Sequence, residues 1–322
     1  MYLRPEFQAQ KPKIKDQVFM SRGLHRFAVL VACATFFLII AGANVTSHDA
    51  GLAVPDWPLS FGKVFPQMVG NVFWEHGHRM IATAVGMLTI ALAVILQLRE
   101  PRRWVKRLGW IALAAVIAQG LLGGLTVKLL LPLWVSAAHA TLAQLFFLIT
   151  VSIAVFTSPR WVSPPEKERA TEDASLRLLS VLALAVILVQ LVLGATLRHS
   201  ATWDQNLPLP LVLAHVGGAF VVTLVLGATV SRVFTRHREN KYLMRPALFA
   251  ATMLVTQLSL GIAAYIVRAR SPFDPQPLTP MVAVTVAHVA CGALVFAGAI
   301  VLSLRIFRVV AAEQKNYALA TA

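Results

Sequence analysis

Eight stretches of this sequence are apolar over roughly 20 residues, the length at which a helix spans the hydrocarbon core of a bilayer. Within lipid each stretch must be helical, because no water is present there to pair with open backbone groups. The stretches lie at about residues 25–45, 75–98, 108–127, 134–157, 177–197, 210–233, 246–267 and 281–306. Only 13% of the residues are charged, about half the fraction of a soluble domain. The sequence therefore predicts an all-α, polytopic membrane protein with eight transmembrane helices.

The net charge of +15 would suit a nucleic-acid-binding protein, but the basic residues lie in short loops between the apolar stretches. Most of them fall on one side of the membrane, at residues 1–24, 99–107, 158–177, 232–245 and 305–322. Loops rich in Lys and Arg face the cytoplasm. We therefore expect no nucleic-acid partner, and we expect both termini in the cytoplasm.

Three helix pairs repeat one pattern, in which a Gln is followed by a Gly four residues later, a loop, a small residue and a His. The three sets are Gln119, Gly123 and His139; Gln190, Gly194 and His215; and Gln257, Gly261 and His288. The first helix pair fits more loosely, since Leu38 stands in the Gln position before Gly42 and His78. This repetition predicts four helix hairpins grouped into two pseudo-symmetric four-helix bundles.

A charged segment with several prolines separates the two predicted halves. The expected order is a polar N-terminal segment at 1–24, an N-terminal four-helix half at 25–157, a linker at 158–176, a C-terminal four-helix half at 177–308 and a tail at 309–322. The first segment, the linker and the tail are all expected on the cytoplasmic side.

Four histidines begin the second, fourth, sixth and eighth predicted helices, close to the outer face. An ionisable group inside a span is costly and is a candidate functional residue. One such histidine could merely hydrogen-bond across a helix interface, but four at equivalent places favour a shared chemistry. Haem iron takes an axial imidazole on each side, whereas a zinc or copper cluster would need converging thiols or carboxylates, and only Glu75 is near. We predict two haems, with iron ligands His78 and His139 in one half and His215 and His288 in the other.

Glu75 lies three residues before His78, so the two side chains share a helical face. Beside a haem, Glu75 could accept or relay a proton; alternatively, it is a first-turn carboxylate favoured by the helix dipole. Arg79 could pair with a haem propionate or extend to the membrane surface. The same two interpretations hold for the other outer cations, which are Lys128, Arg198, Arg268 and Arg270.

The first outer loop contains Pro-Asp-Trp-Pro at residues 55–58, and the second helix begins with Glu-His-Gly-His-Arg at residues 75–79. Together with the three later histidine helices, these motifs resemble the haem A synthase family over the whole chain. The resemblance implies eight helices in two similar halves. It also implies oxidation of the C8 methyl group of haem o to a formyl group, which gives haem a. The substrate haem o is then expected in the N-terminal half and a haem b cofactor in the C-terminal half.

By the same resemblance, Glu75 is the expected catalytic residue, and His78, His139 and Arg79 are expected to bind the substrate haem. His215 and His288 are similar to the family's cofactor ligands. The resemblance further implies a place in the cell (inner or plasma) membrane with the haem sites toward its outer side. The expected partners are haem o synthase as the haem o donor, terminal oxidase assembly and membrane lipid.

The chain departs from the family pattern in its cysteines. Many bacterial members carry a cysteine pair in the first outer loop, near what are here Val54 and Ser60, and this loop has none. The two cysteines of the chain, Cys33 and Cys291, lie in apolar stretches, so we expect no disulfide framework. A route for electrons or haem o through loop thiols is therefore not supported in this protein.

Two further histidines lie near the motif. His76 is an alternative ligand to His78, although the motif position favours His78. His48, followed by Asp49, stands where small polar residues are common, and the sequence suggests no role for it.

Converting a methyl group to an aldehyde removes four electrons, and two hydroxylations to a geminal diol followed by loss of water accomplish it. The cofactor carries the redox chemistry while the protein positions the methyl group. Two other interpretations remain open. One is a bis-histidine membrane electron carrier of the cytochrome b kind that makes no product. Against it, Glu75 is present in only one half, which favours one reactive site and one static site. The other is a transporter built from repeated halves, whose histidines relay protons.

Overall fold

The computed structural model describes residues 14–162, 173–200, 208–271 and 277–320, with side chains described from residue 22 to residue 309 of those ranges. Within them the chain forms eight long helices and one single-turn helix. The helices are α1 (Ile14–Ser47), α2 (Asn71–Arg99), α3 (Arg103–Lys128), α4 (Leu133–Thr157), α5 (Pro159–Val162), α6 (Ala174–Ser200), α7 (Leu209–Arg236), α8 (Lys241–Arg270) and α9 (Thr279–Ala320).

All eight long helices are long and apolar enough to cross a membrane, which confirms the predicted fold class and number of spans. The first and last helices continue beyond their apolar stretches, to Ile14 at one end and to Ala320 at the other. Hydropathy alone does not detect such extensions, because a helix that leaves the lipid can continue with polar residues. The single-turn helix α5 lies inside the segment predicted as a linker, whose residues 163–172 lie outside the described ranges.

The helices of each half contact one another in a closed ring. In the first half α1 contacts α2 and α4, and α3 contacts α2 and α4; in the second half α6 contacts α7 and α9, and α8 contacts α7 and α9. Contacts of α1 with α9, α4 with α6 and α4 with α9 join the halves. The rotation that would make the two bundles pseudo-symmetric remains a prediction.

Helix α9 is the most enclosed of the spans. In its most apolar window, 56% of the residues are buried, compared with 11% for α7. An apolar cluster of Ile39, Phe147, Ala293 and Ala297 packs where α1, α4 and α9 meet. Helix α9 therefore packs between the two halves, with its buried residues beginning just after His288.

We call the side on which α2, α4, α7 and α9 begin the histidine side, and the opposite side the basic side. On the basic side Asp173 accepts a hydrogen bond from the backbone of Leu176 in the first turn of α6. It also pairs with Arg232 and His237 of the α7 end. Burial raises the pKa of Asp173, but the hydrogen bonds from Arg232, Leu176 and His237 outweigh it and lower this pKa to about 2. This carboxylate thereby fastens the start of α6 to the end of α7.

Candidate functional site

The four predicted haem-ligand histidines lie seven to ten residues into their helices, all near the histidine side. Each ring rests on the glycine of the preceding helix that the repeat pairs with it. A β-carbon added at Gly42 would lie 3.1 Å from Cε1 of His78, and one added at Gly123 would lie 3.1 Å from Cε1 of His139. At Gly194 the distance to Cε1 of His215 would be 2.9 Å, and at Gly261 the distance to Cε1 of His288 would be 3.2 Å. The glycines of the sequence repeat therefore make room for the imidazoles, including in the loosely matching first pair.

The glutamines of the repeat also reach the histidines. The amide nitrogen of Gln119 lies 3.3 Å from Nε2 of His139 and donates to the carbonyl oxygen of the same residue at 3.0 Å. The amide nitrogen of Gln190 lies 3.1 Å from Nδ1 of His215, the other ring nitrogen, and donates to the carbonyl oxygen of His215 at 2.9 Å. Gln257 lies 3.2 Å from Nε2 of His288. His78 has no such partner in the described chain, because Leu38 stands in the glutamine position.

Two of the four histidines lie next to each other in the structure. The ring centroids of His215 and His288 are 6.3 Å apart, with an angle of 70° between the ring planes. The pairing of His78 with His139 stays a prediction. Two imidazole–metal bonds of about 2 Å in line, together with the two ring radii, give a separation of roughly 6 Å between ring centroids. The spacing of His215 and His288 therefore suits the two axial ligands of one metal ion.

Buried ring nitrogens support the same chemistry. Within the described residues, Nδ1 of His78, His139 and His288 has no hydrogen-bond partner although it is buried. A neutral imidazole with an unpaired ring nitrogen is able to bind a metal ion. Among the same residues, His, Cys, Asp and Glu do not gather in groups of three. Pairs of histidines without further ligands fit haem iron better than a zinc or copper cluster.

Glu75 is buried, with 4% of its surface exposed, and both of its carboxylate oxygens are engaged. Oε2 accepts a hydrogen bond from the backbone nitrogen of Val54 at 2.7 Å, and Oε1 accepts one from Nη2 of Arg79 at 2.5 Å. The sequence placed Glu75 beside His78 on α2, but it did not indicate the contact with the first outer loop.

Arg79 holds the same loop. Its Nη1 donates to the carbonyl oxygens of Asp56 and Leu59 at 2.8 and 2.9 Å, and its Nη2 donates to that of Val54 at 3.2 Å. Both terminal nitrogens are thus engaged with the loop and with Glu75. The binding of a haem propionate by Arg79 remains a prediction, and these contacts give the side chain a second role in fixing the loop.

The loop that carries the Pro-Asp-Trp-Pro motif covers the first half. The Asp56 carboxylate accepts hydrogen bonds from the backbone nitrogens of Phe61 and Gly62 at 2.7 and 2.8 Å. The hydrogen bonds from Gly62 and Phe61 lower the pKa of Asp56. The Trp57 ring lies against Gly124 of α3, where an added β-carbon would come within 2.7 Å of it. The motif therefore makes a tight turn and places an aromatic ring over the helix next to His139.

The two further histidines near the motif, His76 and His48, also have structural partners. Nδ1 of His76 lies 2.8 Å from the Ser60 hydroxyl, its Nε2 is buried with no hydrogen-bond partner among the described residues, and it is His78 that contacts Gly42. His76 as an alternative iron ligand stays a prediction. The His48 ring stacks on Trp74, with centroids 3.9 Å apart. Contacts of this kind between a loop and a helix have no periodic pattern that would reveal them in the sequence.

The predicted outer cations lie at helix ends on the histidine side. Arg198 at the end of α6 donates to the Ser47 hydroxyl at 3.3 Å, and Ser47 lies 3.1 Å from the Thr285 hydroxyl. This contact bridges α1, α6 and α9. Lys128 ends α3, and Arg268 and Arg270 end α8.

The profile of the family described as Cytochrome oxidase assembly protein (COX15-CtaA) matches residues 67–275, which include Glu75, His78, His139 and His215. The chain belongs to this family. The family membership confirms the resemblance inferred from the outer-loop motif.

Curated relatives of this cytochrome oxidase assembly family member carry the name Heme A synthase. The protein of Shouchella clausii is 26% identical over 265 residues, covering 76% of this chain and 87% of its own length. That of Symbiobacterium thermophilum is 28% identical over 245 residues, covering 69% of this chain and 79% of its own length. A shorter match of 39% identity over 79 residues is to the Protoheme IX farnesyltransferase of Haloarcula marismortui, covering 23% of this chain and 16% of that protein.

Proposed function

We propose that this multi-pass membrane protein is a haem A synthase, an oxidoreductase that converts the C8 methyl group of haem o to a formyl group. Its relatives named Heme A synthase support a role in haem a formation. The observation that carries the finer proposal is the asymmetry of the two histidine pairs. His78 of the first pair shares a helical face with the buried carboxylate of Glu75, whereas both rings of the second pair contact a glutamine of the preceding helix.

In this proposal His78 and His139 bind the iron of haem o, and Arg79 pairs with a propionate in addition to, or in place of, its contacts with the loop. The glycines behind the two rings hold the imidazoles in place. Glu75 then faces the substrate from the same side of α2 as His78. Each carboxylate oxygen has two lone pairs, and one on each oxygen is already used by Val54 or Arg79. The remaining lone pairs can accept the proton of a hydroxylated methyl group and orient it.

We further propose that His215 and His288 hold a resident haem b. Haem b bound there would supply one-electron transfer to the reaction in the first half. The residues of the chain contribute the fixed ring spacing of 6.3 Å and the glutamine contacts that orient both imidazoles.

The reaction is a four-electron oxidation of the methyl carbon by an oxidant from outside the chain, through two hydroxylations and loss of water from a geminal diol. Haem o synthase is the proposed source of the substrate, in keeping with the partial match to a farnesyltransferase, and terminal oxidase assembly is its destination. We propose a cell-membrane location with the termini in the cytoplasm and the haem sites toward the outer side. The domain boundaries expected from the sequence, at 25–157 and 177–308, are retained as part of the proposal.

Co-expression with a source of haem o, followed by chromatography of the extracted haems, tests the proposal. We expect haem a from the wild-type chain and a loss of about 100-fold or more in Glu75→Gln, because a positioned acid–base group contributes on this order. Glu100→Gln is the matched control, since Glu100 is also buried and paired with an arginine, but on the basic side.

Two results would contradict the proposal. One is undiminished haem a in Glu75→Gln. The other is recovery of chemically unaltered haem from both halves of the wild-type chain, which would favour the electron carrier of the cytochrome b kind.

A further inference from the structure

A cavity of about 290 Å³ lies on the basic side of the molecule, where α8, α9 and the single-turn helix α5 approach one another. Three arginines line it, one from each helix: Arg160 from α5, Arg245 from α8 and Arg305 from α9. Arg305 is 17 residues after His288 on the same helix, which corresponds to about 25 Å. The cavity is therefore remote from the proposed haem sites.

The rest of the cavity wall is apolar. Phe249, Gly298 and Val301 contribute to it, from the first turns of α8 and from the end of the α9 span. An added β-carbon at Gly298 would lie 2.9 Å from Cδ1 of Phe249, so the two helices are in close contact at this level. Phe249 is 42% exposed, which makes the cavity accessible from the outer surface of the bundle.

The arginines are arranged to receive an anion. Arg305 is held by donating from Nη1 to the Tyr242 carbonyl oxygen at 2.9 Å, and its guanidinium carbon lies 4.6 Å from the Tyr242 ring centroid. Arg160 and Arg245 have no carboxylate partner among the residues that the structure describes. By contrast, Glu100 and Asp173, the buried acids on this side of the membrane, are already paired with Arg102 and Arg232.

We propose that this cavity binds the headgroup of an anionic phospholipid, with its phosphodiester on the three arginines and its glycerol on the apolar wall. Arginine pairs with phosphate through parallel N–H donors. Basic pockets between helices on the side with positive loops suit such headgroups. A zwitterionic lipid would bring its own ammonium group toward the three arginines, so the site selects against it.

The excess of basic residues on this side does not by itself explain the cavity. The orientation of the protein in the membrane favours Lys and Arg in all the loops on the basic side. It does not require arginines from three separate helices to converge on one apolar pocket. Arg236 and Arg238 lie exposed at the end of α7 and in the turn that follows, on the same side, and they do not line the cavity. They provide a matched control for charge.

The test is native mass spectrometry of the full-length protein in detergent, titrated with phosphatidylglycerol, phosphatidylcholine or inorganic phosphate. We expect phosphatidylglycerol to bind at least about tenfold more tightly than phosphatidylcholine, and Arg160→Gln/Arg245→Gln to lose about tenfold in affinity for it. Arg236→Gln/Arg238→Gln, which removes the same charge, should bind as the wild type does.

A second variant separates shape from charge. Val301→Trp fills the cavity and leaves every arginine in place, so it should also weaken phosphatidylglycerol binding. Equal affinity for the two lipids, equal effects of the two arginine double variants, or displacement of the lipid by millimolar phosphate would overturn the proposal. The measurement does not depend on haem, so its outcome is independent of the proposed enzymatic function.

Discussion

The two histidine pairs arise from the same helix-pair repeat but differ in what surrounds them. His215 and His288 each contact a glutamine of the preceding helix. His78 has a leucine at that position and instead lies on the same helix face as Glu75, which Arg79 and the first outer loop fix in place. Glycines make room for the imidazoles in both halves, and the polar groups next to the rings differ between the halves.

The largest expected difference between the halves follows from removing one histidine of each pair. His288→Ala should abolish the resident haem and its Soret absorption in protein purified without haem o, because one axial ligand is lost. His139→Ala should keep that absorption and lose conversion of haem o. Absorption spectra and chromatography of extracted haems check both outcomes; a His288→Ala protein with both haems and full activity would refute the assignment.

Exchanging the residues at the glutamine position sharpens the comparison. Gln257→Leu should weaken retention of the resident haem by about tenfold, since polar groups that orient a ligand histidine contribute on this order. Leu38→Gln should make the first pair resemble the second, hold haem o more firmly and slow its conversion. Haem dissociation rates measured by transfer to an acceptor protein test this. Thr256→Val, on the exposed surface beside Gln257, is the control.

The smallest effect concerns the basic side, where Asp173 fastens α6 to α7 in the second half. Its pKa of about 2 lies below the usual value of about 3.9, so its contribution to stability is present above pH 4 and is lost as pH falls toward 2. Asp173→Asn should lower Tm at neutral pH by about 2–4 °C. The further decrease in Tm as the pH falls should be smaller in this variant than in the wild type. Thermal unfolding in detergent measures this effect. Glu239→Gln, an exposed carboxylate in the α7–α8 turn, should change neither value.

Much of the candidate site could be predicted because repetition makes it visible. The recurrence of Gln, Gly and His in three helix pairs marked His139, His215 and His288, and the structure brings each of them against its glycine. The contacts of Glu75 with Val54 and of His48 with Trp74 could not be predicted. These contacts join a loop or a helix end to a neighbouring helix. They depend on the path of the loop, and no regular residue spacing in the sequence indicates them.

The sequence by itself determined the eight spans and the repeat, because apolar length and helical spacing are properties of each segment taken alone. The tertiary structure decided which polar groups meet: Arg79 with the carbonyl groups of the outer loop, and three arginines from α5, α8 and α9 around one cavity. These arrangements depend on how separate helices and loops are packed. Hydrogen bonds and ion pairs form between whichever groups the packing places within reach, and local sequence does not encode that proximity.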